Sequence, residues 1–271
     1  IKKIHKIQNV WVPGSSGMVA KSLISKLKEK KIRYRATNRK NLDLTNYKKV
    51  DKFLQKNNFD TIIMCAAKVG GIYANDNYSG DFIRENLLIQ LNTIELARIH
   101  KIKKLVFLGS SCIYPRNAKQ PILEDYLLSG KLEKTNESYA IAKIAGIKMI
   151  QAYRKQYGCD FISLMPTNLY GENDNFHSYN SHVVPALINK IYNAKKNKKN
   201  SLMLWGTGNP KRDLLYVGDL ADALIMLTEN YSDYEPINIG SNTEITISKL
   251  SKKISKKLNN KKKIIFNPKF P

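Results

Sequence analysis

The sequence predicts an α/β fold: a doubly wound parallel sheet with a smaller α/β domain beside it. Three observations carry that expectation. Up to about residue 166, short apolar runs alternate with stretches whose apolar residues recur at helical spacing. The first run passes directly into a glycine turn and then a helix. Beyond Pro166 the alternation gives way to polar loops and shorter elements. Strands alternating with helices imply parallel pairing through right-handed crossovers, with helices on both sheet faces.

The first strand is Asn-Val-Trp-Val-Pro over 9–13. Gly14-Ser15-Ser16-Gly17-Met18-Val19-Ala20 follows, and Leu23, Ile24 and Leu27 then mark a helix. Strand, glycine turn and helix in that order suit a dinucleotide site. Gly14 permits the tight turn, Gly17 lets a pyrophosphate approach the helix N-terminus, and Ala20 is small enough for close helix–strand packing. The spacing is G-x-x-G-x-x-A, not G-x-G-x-x-G. A second strand over 32–37 ends at Asn38-Arg39. An acidic residue about 20 positions beyond the turn would bind the ribose 2′-hydroxyl of NAD. Arg39, with Lys40 beside it, suits the 2′-phosphate of NADP instead.

A helix over about 46–55 and a third strand over 59–65 come next, ending in Ala66-Ala67-Lys68-Val69-Gly70-Gly71-Ile72. Small residues at a central strand's end let a cofactor lie over the strand tips. A long helix over 82–99 carries apolar residues at Leu87, Ile94 and Leu96. A fourth strand over 105–108 runs into Gly109-Ser110-Ser111-Cys112-Ile113-Tyr114-Pro115. The next helix, about 139–157, opens with Tyr139 and Lys143. Residues four apart share a helix face, so this pair projects together. An ammonium beside a phenol favours the phenolate, which would draw the tyrosine pKa down from about 10. Tyr139 is thus a candidate proton donor and acceptor. A strand over 161–165 completes this half.

In the second half, Thr167-Asn168-Leu169-Tyr170-Gly171 leads into the polar loop Glu172-Asn173-Asp174-Asn175-Phe176-His177. Helices are expected over 183–194, about 219–229 and 247–258, and strands over 202–206, 212–217 and 237–240. The domain division expected is 1–166, joined by about 213–240, with 167–271 forming most of the smaller domain.

Composition narrows the classes. The 271 residues can bury a sizeable core, and 42% apolar with 25% charged residues is ordinary for a globular protein. No apolar run approaches the ~18 residues of a membrane span. The basic start is followed by an apolar stretch too short and glycine-rich for a signal peptide. Net charge is +24, but only eight basic residues are Arg and the Lys are scattered, with runs at 195–199 and 261–263. No base-reading or aromatic-interleaved basic motif accompanies them, so nucleic acid is not an expected partner, nor is a membrane. Three widely spaced cysteines, Cys65, Cys112 and Cys159, argue against a disulfide framework or a metal site and fit a reducing cytoplasm.

Taken with Met165-Pro166-Thr167-Asn168-Leu169-Tyr170-Gly171, Tyr139-Ala140-Ile141-Ala142-Lys143-Ile144-Ala145-Gly146, Asp174-Asn175-Phe176-His177 and Asn180-Ser181-His182-Val183, these segments resemble the extended short-chain dehydrogenase/reductases, Rossmann-type enzymes of nucleotide-sugar metabolism. The match is closest to their epimerase-reductases acting on GDP-4-keto-6-deoxy-D-mannose. The resemblance covers nearly the whole chain. It implies that NADP(H) is the cofactor and that the smaller domain binds substrate. Gly14, Ser15, Ser16, Gly17, Met18, Val19, Ala20, Arg39, Leu108, Gly109, Ser110, Lys143, Pro166, Asn168, Leu169 and His182 would line the cofactor. It implies that Ser110 polarises the C4 carbonyl and Tyr139 protonates the C4 oxygen, with Lys143 holding the tyrosine pKa low. Cys112 and His182 would move the protons at C3 and C5. Lys190, Trp205 and Arg212 would contact the GDP end, although Trp205 would equally suit a core. Ser16 stands where relatives can carry a basic residue, which leaves more of the 2′-phosphate to Arg39. Glu172 stands where proline is common. Relatives continue past Pro271 with a closing segment, so a fragment is expected, and a homodimer is implied. Another nucleotide-sugar epimerase, dehydratase or reductase would use Tyr139 and Lys143 without needing Cys112 and His182. A non-catalytic Rossmann binding protein or basic nucleic-acid binder is the reading from another class.

Overall fold

A computed structural model of the chain describes residues 4–177, 181–196 and 200–269. Asn180 of the segment quoted above and residues 197–199 of the lysine run lie outside them. The elements are β1 (Asn9–Pro13), α1 (Met18–Glu29), β2 (Arg33–Thr37), α2 (Tyr47–Gln55), β3 (Thr61–Met64), α3 (Ile72–Asn77), α4 (Ser79–Ile99), β4 (Lys104–Leu108), α5 (Glu137–Tyr157), β5 (Phe161–Pro166), β6 (Asn168–Tyr170), α6 (Val183–Lys196), β7 (Ser201–Trp205), β8 (Lys211–Tyr216), α7 (Val217–Asn230), β9 (Ile237–Ile239), β10 (Glu244–Thr246), α8 (Ile247–Lys257) and β11 (Lys263–Asn267).

Six strands form one parallel sheet in the order β2-β1-β3-β4-β5-β9. The order reverses between β1 and β3, which opens a crevice at the carboxyl ends of those strands. Side chains alternate across a strand, and here both faces are apolar because helices cover both. Trp11, Ile62, Met64, Leu105, Phe107 and Phe161 point into one core with Ile94 of α4 and Ile147 of α5. Val10, Val12, Ile63, Val106, Ile162 and Leu164 point into the other with Leu23 and Leu27 of α1 and Leu220 and Leu224 of α7. A third, smaller core joins Val184, Leu187 and Ile191 of α6 to Leu204 of β7 and Leu250 of α8. Beside it lie the sheets β10-β8-β6 and β11-β7.

Two contacts place the site. A Cβ on Gly146 would sit 2.6 Å from the Phe107 ring, so glycine lets α5 press directly on β4. The Gln90 side-chain amide of α4 donates to the Ala142 carbonyl of α5 and fixes the helix's height over the sheet. Together they hold the turn carrying Tyr139 and Lys143 against the end of β4.

The expected strands and helices are present, most within a residue or two, with α4 beginning three residues earlier. Three short strands were not expected. β6 lies just before the expected polar loop, where no element was assigned; it pairs with β8 from Asn168↔Leu214 to Tyr170↔Tyr216, and β10 pairs with β8's other edge. Three residues are too few to show a period of two, so only the distant partner reveals them. β11 pairs with β7 along five residues, and its first residue belongs to the lysine run that disguised it. Among the described residues no helix is long and apolar enough to cross a membrane.

Candidate active site

The glycine turn lies at the carboxyl end of β1. Gly14 has φ +93°, and a Cβ there would meet the Ala66 backbone at 2.7 Å. Glycine is therefore required twice over, by conformation and by space. The Gly14 and Ser15 amides donate to the Thr37 carbonyl at 2.8 and 2.9 Å, which ties the turn to the end of β2. Ser16 and Gly17 are exposed, Met18 and Val19 half-buried, and Ala20 buried against the sheet. No side chain caps α1, so its first-turn amides are left for an anion. A turn whose backbone is open to close approach, above an uncapped helix, fits a dinucleotide pyrophosphate.

Arg39 follows β2, as expected, but it is not a lone surface arginine. Its Nη1 donates to Glu85 Oε2 of α4 at 2.7 Å. Glu85 is almost wholly buried, and its other oxygen accepts from Lys68 Nζ, also at 2.7 Å.

At the end of β4, Gly109 N donates to the Leu164 carbonyl at 2.8 Å, and Leu108 O accepts from Lys143 Nζ at 2.7 Å. Ser110 opens a 3-10 turn over Ser111–Ile113; its Oγ accepts from the Cys112 amide at 3.4 Å and the Cys112 thiol at 3.2 Å. The Lys143 ammonium lies 4.8 Å from the Phe107 ring centroid and 5.7 Å from that of Tyr139. Four of the five expected catalytic residues are thus gathered at one strand end.

Burial governs their protonation. It pulls Lys143 down to about 8, against the influence of Cys112 and Cys65. It pushes the Cys112 thiol up, against the Ser110 hydrogen bond and the Lys143 charge, and it pushes Cys65 up to about 12. Tyr139 is pushed well above the ordinary phenol value, first by burial and then by Cys112. Burial thus opposes the lowering of the tyrosine pKa expected from Lys143. The ammonium is spent on the Leu108 carbonyl and its own charge is suppressed, so desolvation of the phenolate wins. Tyr139 keeps its proton and stands as a donor.

The remaining residues lie around this cluster. Pro166 is buried at the end of β5; Leu169 is half-buried on β6, and the exposed Asn168 donates to the Asp213 carbonyl at 3.3 Å. His182 is exposed just before α6 and makes no hydrogen bond to the other four among the described residues. Burial pushes up the carboxyl of Asp174, opposed by the nearby His182, and the Asp174 Oδ2 is buried without a hydrogen-bond partner among the described residues. Lys190 is half-buried with Nζ 4.1 Å from the Trp205 ring centroid, and burial lowers its pKa. Trp205 is 54% exposed, which removes the alternative that it is a core residue. Arg212 is exposed on β8 with Nη1 on the Lys211 carbonyl. The three cysteines are free thiols. Sequence reasoning missed Asp174 and Glu85 as partners of site residues. Lys68 was visible in a quoted segment, but nothing in the sequence marked Glu85.

Residues 10–240 match the NAD dependent epimerase/dehydratase family. The chain is 50% identical over 264 residues to the GDP-L-fucose synthase of Sinorhizobium fredii, spanning 97% of this chain and 84% of that one. It superposes on a GDP-6-OMe-4-keto-L-xylo-heptose reductase from C. jejuni with a TM-score of 0.93 and 30% identity, over 99% of this chain and 88% of the other. Against a GDP-L-fucose synthetase from Naegleria fowleri bound to NADP the TM-score is 0.90 at 26% identity, over 100% and 85%.

Proposed function

This chain belongs to the NAD dependent epimerase/dehydratase family, and on that premise we propose that it converts GDP-4-keto-6-deoxy-D-mannose to GDP-L-fucose by 3,5-epimerisation and NADPH-dependent 4-reduction. The observation that carries the reading is the Ser110–Cys112 contact beside Tyr139 and Lys143. A reductase needs Ser110, Tyr139 and Lys143. A proton-transferring thiol hydrogen-bonded to that serine would lie beside a carbonyl whose neighbouring carbons must be inverted.

The residues fit NADP(H): Gly14 to Ala20 would hold the pyrophosphate, Arg39 the 2′-phosphate, and Leu108, Gly109, Pro166, Asn168 and Leu169 the nicotinamide half. When bound, the cofactor supplies the hydride for C4. Ser110 donates a hydrogen bond to the C4 oxygen and draws charge from the carbonyl, which acidifies the protons on C3 and C5. Cys112 and His182 remove and return those protons from opposite faces, since each can give or take one. Tyr139, which burial keeps protonated, delivers its proton to the C4 oxygen during reduction. Lys143 offsets the negative charge left on the phenolate. Lys190, Trp205 and Arg212 take the GDP end, guanidinium serving a diphosphate well.

The same proposal divides the chain into a cofactor-binding unit over 1–166 with about 213–240 and a substrate-binding unit from the rest. Pairing of β9 with β5 and the separate third core support it. A homodimer through α4 and α5 is supported by the exposed Leu91, Ile99 and Ile141 on those helices. A cytoplasmic setting is supported by the free thiols.

The test supplies GDP-4-keto-6-deoxy-D-mannose and NADPH, follows loss of reduced cofactor, and identifies the sugar by NMR. Stoichiometric oxidation with GDP-L-fucose as product is expected. Reduction with C3 and C5 unchanged would remove the epimerase half, and a folded chain that binds no nicotinamide cofactor would overturn the reading altogether.

A further inference from the structure

The glycine turn carries no basic residue: Ser15 and Ser16 occupy its middle. Charge for a 2′-phosphate must come from elsewhere, and the neighbouring loops supply it as a cluster. Arg39 projects from the end of β2 and Lys68 from the end of β3. Both reach Glu85 on α4, one to each carboxylate oxygen, at 2.7 Å. The Glu85 side chain is 8% exposed, whereas that of Arg39 is 68% exposed. The lysine is shared weakly with Asp81 at 3.7 Å, and Arg84 Nη2 approaches Glu85 Oε1 at 3.8 Å. A carboxylate this deep, paired to a cation this exposed, does little for the fold, because much of the Arg39 charge still faces water. Its geometric consequence is larger. An unanchored arginine samples many rotamers, and ordering it on a ligand costs affinity. Here one nitrogen is already held from the protein side, and the rest of the guanidinium remains exposed. A planar fork with one arm fixed presents its remaining N–H groups as a pre-oriented pair, which is how arginine binds phosphate bidentately.

We propose that Glu85 is a positioning residue for cofactor choice: it clamps Arg39 so that the free edge of the guanidinium meets the 2′-phosphate, and so sets the preference for NADPH over NADH. This rests on the NADP reading above. Lys68 serves the clamp by neutralising Glu85, leaving the Arg39 charge to the ligand. The phosphate then meets a net positive trio, not an arginine cancelled by its own partner.

The experiment measures binding by the intact chain, by calorimetry, of two matched pairs: 2′,5′-ADP against 5′-AMP, and NADPH against NADH. Wild type should favour the 2′-phosphorylated member of each pair. In Glu85→Gln, which keeps size and an acceptor, 2′,5′-ADP and NADPH should weaken by roughly fivefold, the scale of the charge assistance lost when a neutral acceptor replaces the carboxylate. Binding of 5′-AMP and NADH should stay within about twofold. In an Arg39→Ala background the same change should do nothing, which identifies Arg39 as the intermediary. Equal weakening of both members of a pair would mark Glu85 as merely structural and overturn the proposal. Tighter NADPH binding in Glu85→Gln would overturn it in the other direction, showing that the carboxylate competes with phosphate for Arg39. A wild type that does not discriminate within either pair would sink the NADP reading itself, a result distinct from retained discrimination in the variant.

Discussion

Replacing Lys143 with methionine should make the protein more stable near pH 7 while removing its reductase activity. The magnitude follows from burial. Lys143 falls from 10.5 to about 8, which at ~1.36 kcal/mol per pKa unit makes its charge in the folded state cost about 3 kcal/mol. Methionine removes that cost but leaves the Leu108 carbonyl without its donor, a loss of about 1–3 kcal/mol. The net gain is about 0–2 kcal/mol. The pH dependence is sharper than the absolute value. Between about 8 and 10.5 the unfolded chain holds a proton on Lys143 that the folded chain has released, so wild-type stability rises with pH across that window. The variant has no such group, and loss of the Lys143 charge raises the already elevated Cys112 and Cys65 a little further. Its advantage should therefore shrink by about 2–3 kcal/mol between pH 7 and pH 10. Urea unfolding of both proteins at several values in that range measures the difference directly. A difference that stays flat with pH would show that Lys143 carries no suppressed charge, and the account of the whole cluster would fail with it.

Other substitutions test separate parts. Cys112→Ser should slow solvent deuterium exchange into C3 and C5 by about 10²-fold or more, with NADPH affinity unchanged; unaltered exchange by NMR would remove Cys112 from the chemistry. Gly14→Ala should lose NADPH binding and lower the melting temperature, because it combines a positive φ, at about 1–2 kcal/mol, with a 2.7 Å approach to Ala66. At the opposite end of β4, the fully buried Lys104 ammonium donates to both oxygens of Asp160, at 3.0 and 2.9 Å. Asp160→Asn should cost about 3–5 kcal/mol by stranding that charge. Against its own burial, hydrogen bonds from Ser232 and Lys104 hold the Asp160 carboxyl below its ordinary range. Its contribution is therefore present above the ordinary carboxylate pKa and lost as pH falls through the lower folded value, so the variant's acid-unfolding curve should be shallower.

What the residues disclosed in advance depended on how local the cause was. β1 reads correctly to the residue because Val10, Trp11 and Val12 are bounded by a glycine turn, and the turn's geometry belongs to Gly14 itself. Tyr139 and Lys143 were legible as neighbours because helical spacing fixes proximity. Their protonation was not, because it depends on what surrounds them: the Leu108 carbonyl that takes the ammonium and the packing that excludes water. β6 and β10 exist only through β8, more than 40 residues from the first of them, and three residues carry no period of their own. Glu85 was invisible for the same reason. On α4 it reads as one more helix-surface acid until Arg39, 46 positions earlier, is found on its carboxylate.

Burial acts on Tyr139, Cys112 and Lys143 by one rule, disfavouring the charged form of each, yet the consequences differ because the first two are acids and the third a base. Tyrosine and cysteine retain protons they can donate, and lysine sits near the point of releasing one. For reduction this is the useful arrangement. The developing C4 alkoxide needs a proton donor in place, and a phenol already ionised could not serve. Once the phenol gave up its proton, the Lys143 ammonium, 5.7 Å from the Tyr139 ring centroid, would face the new negative charge and be stabilised in turn. The unfavourable charge of the resting state becomes half of an ion pair after proton transfer. On the proposed mechanism Lys143 would act less by lowering the tyrosine pKa beforehand than by gaining a partner when the proton leaves, an interaction stronger in the transition state than in the ground state.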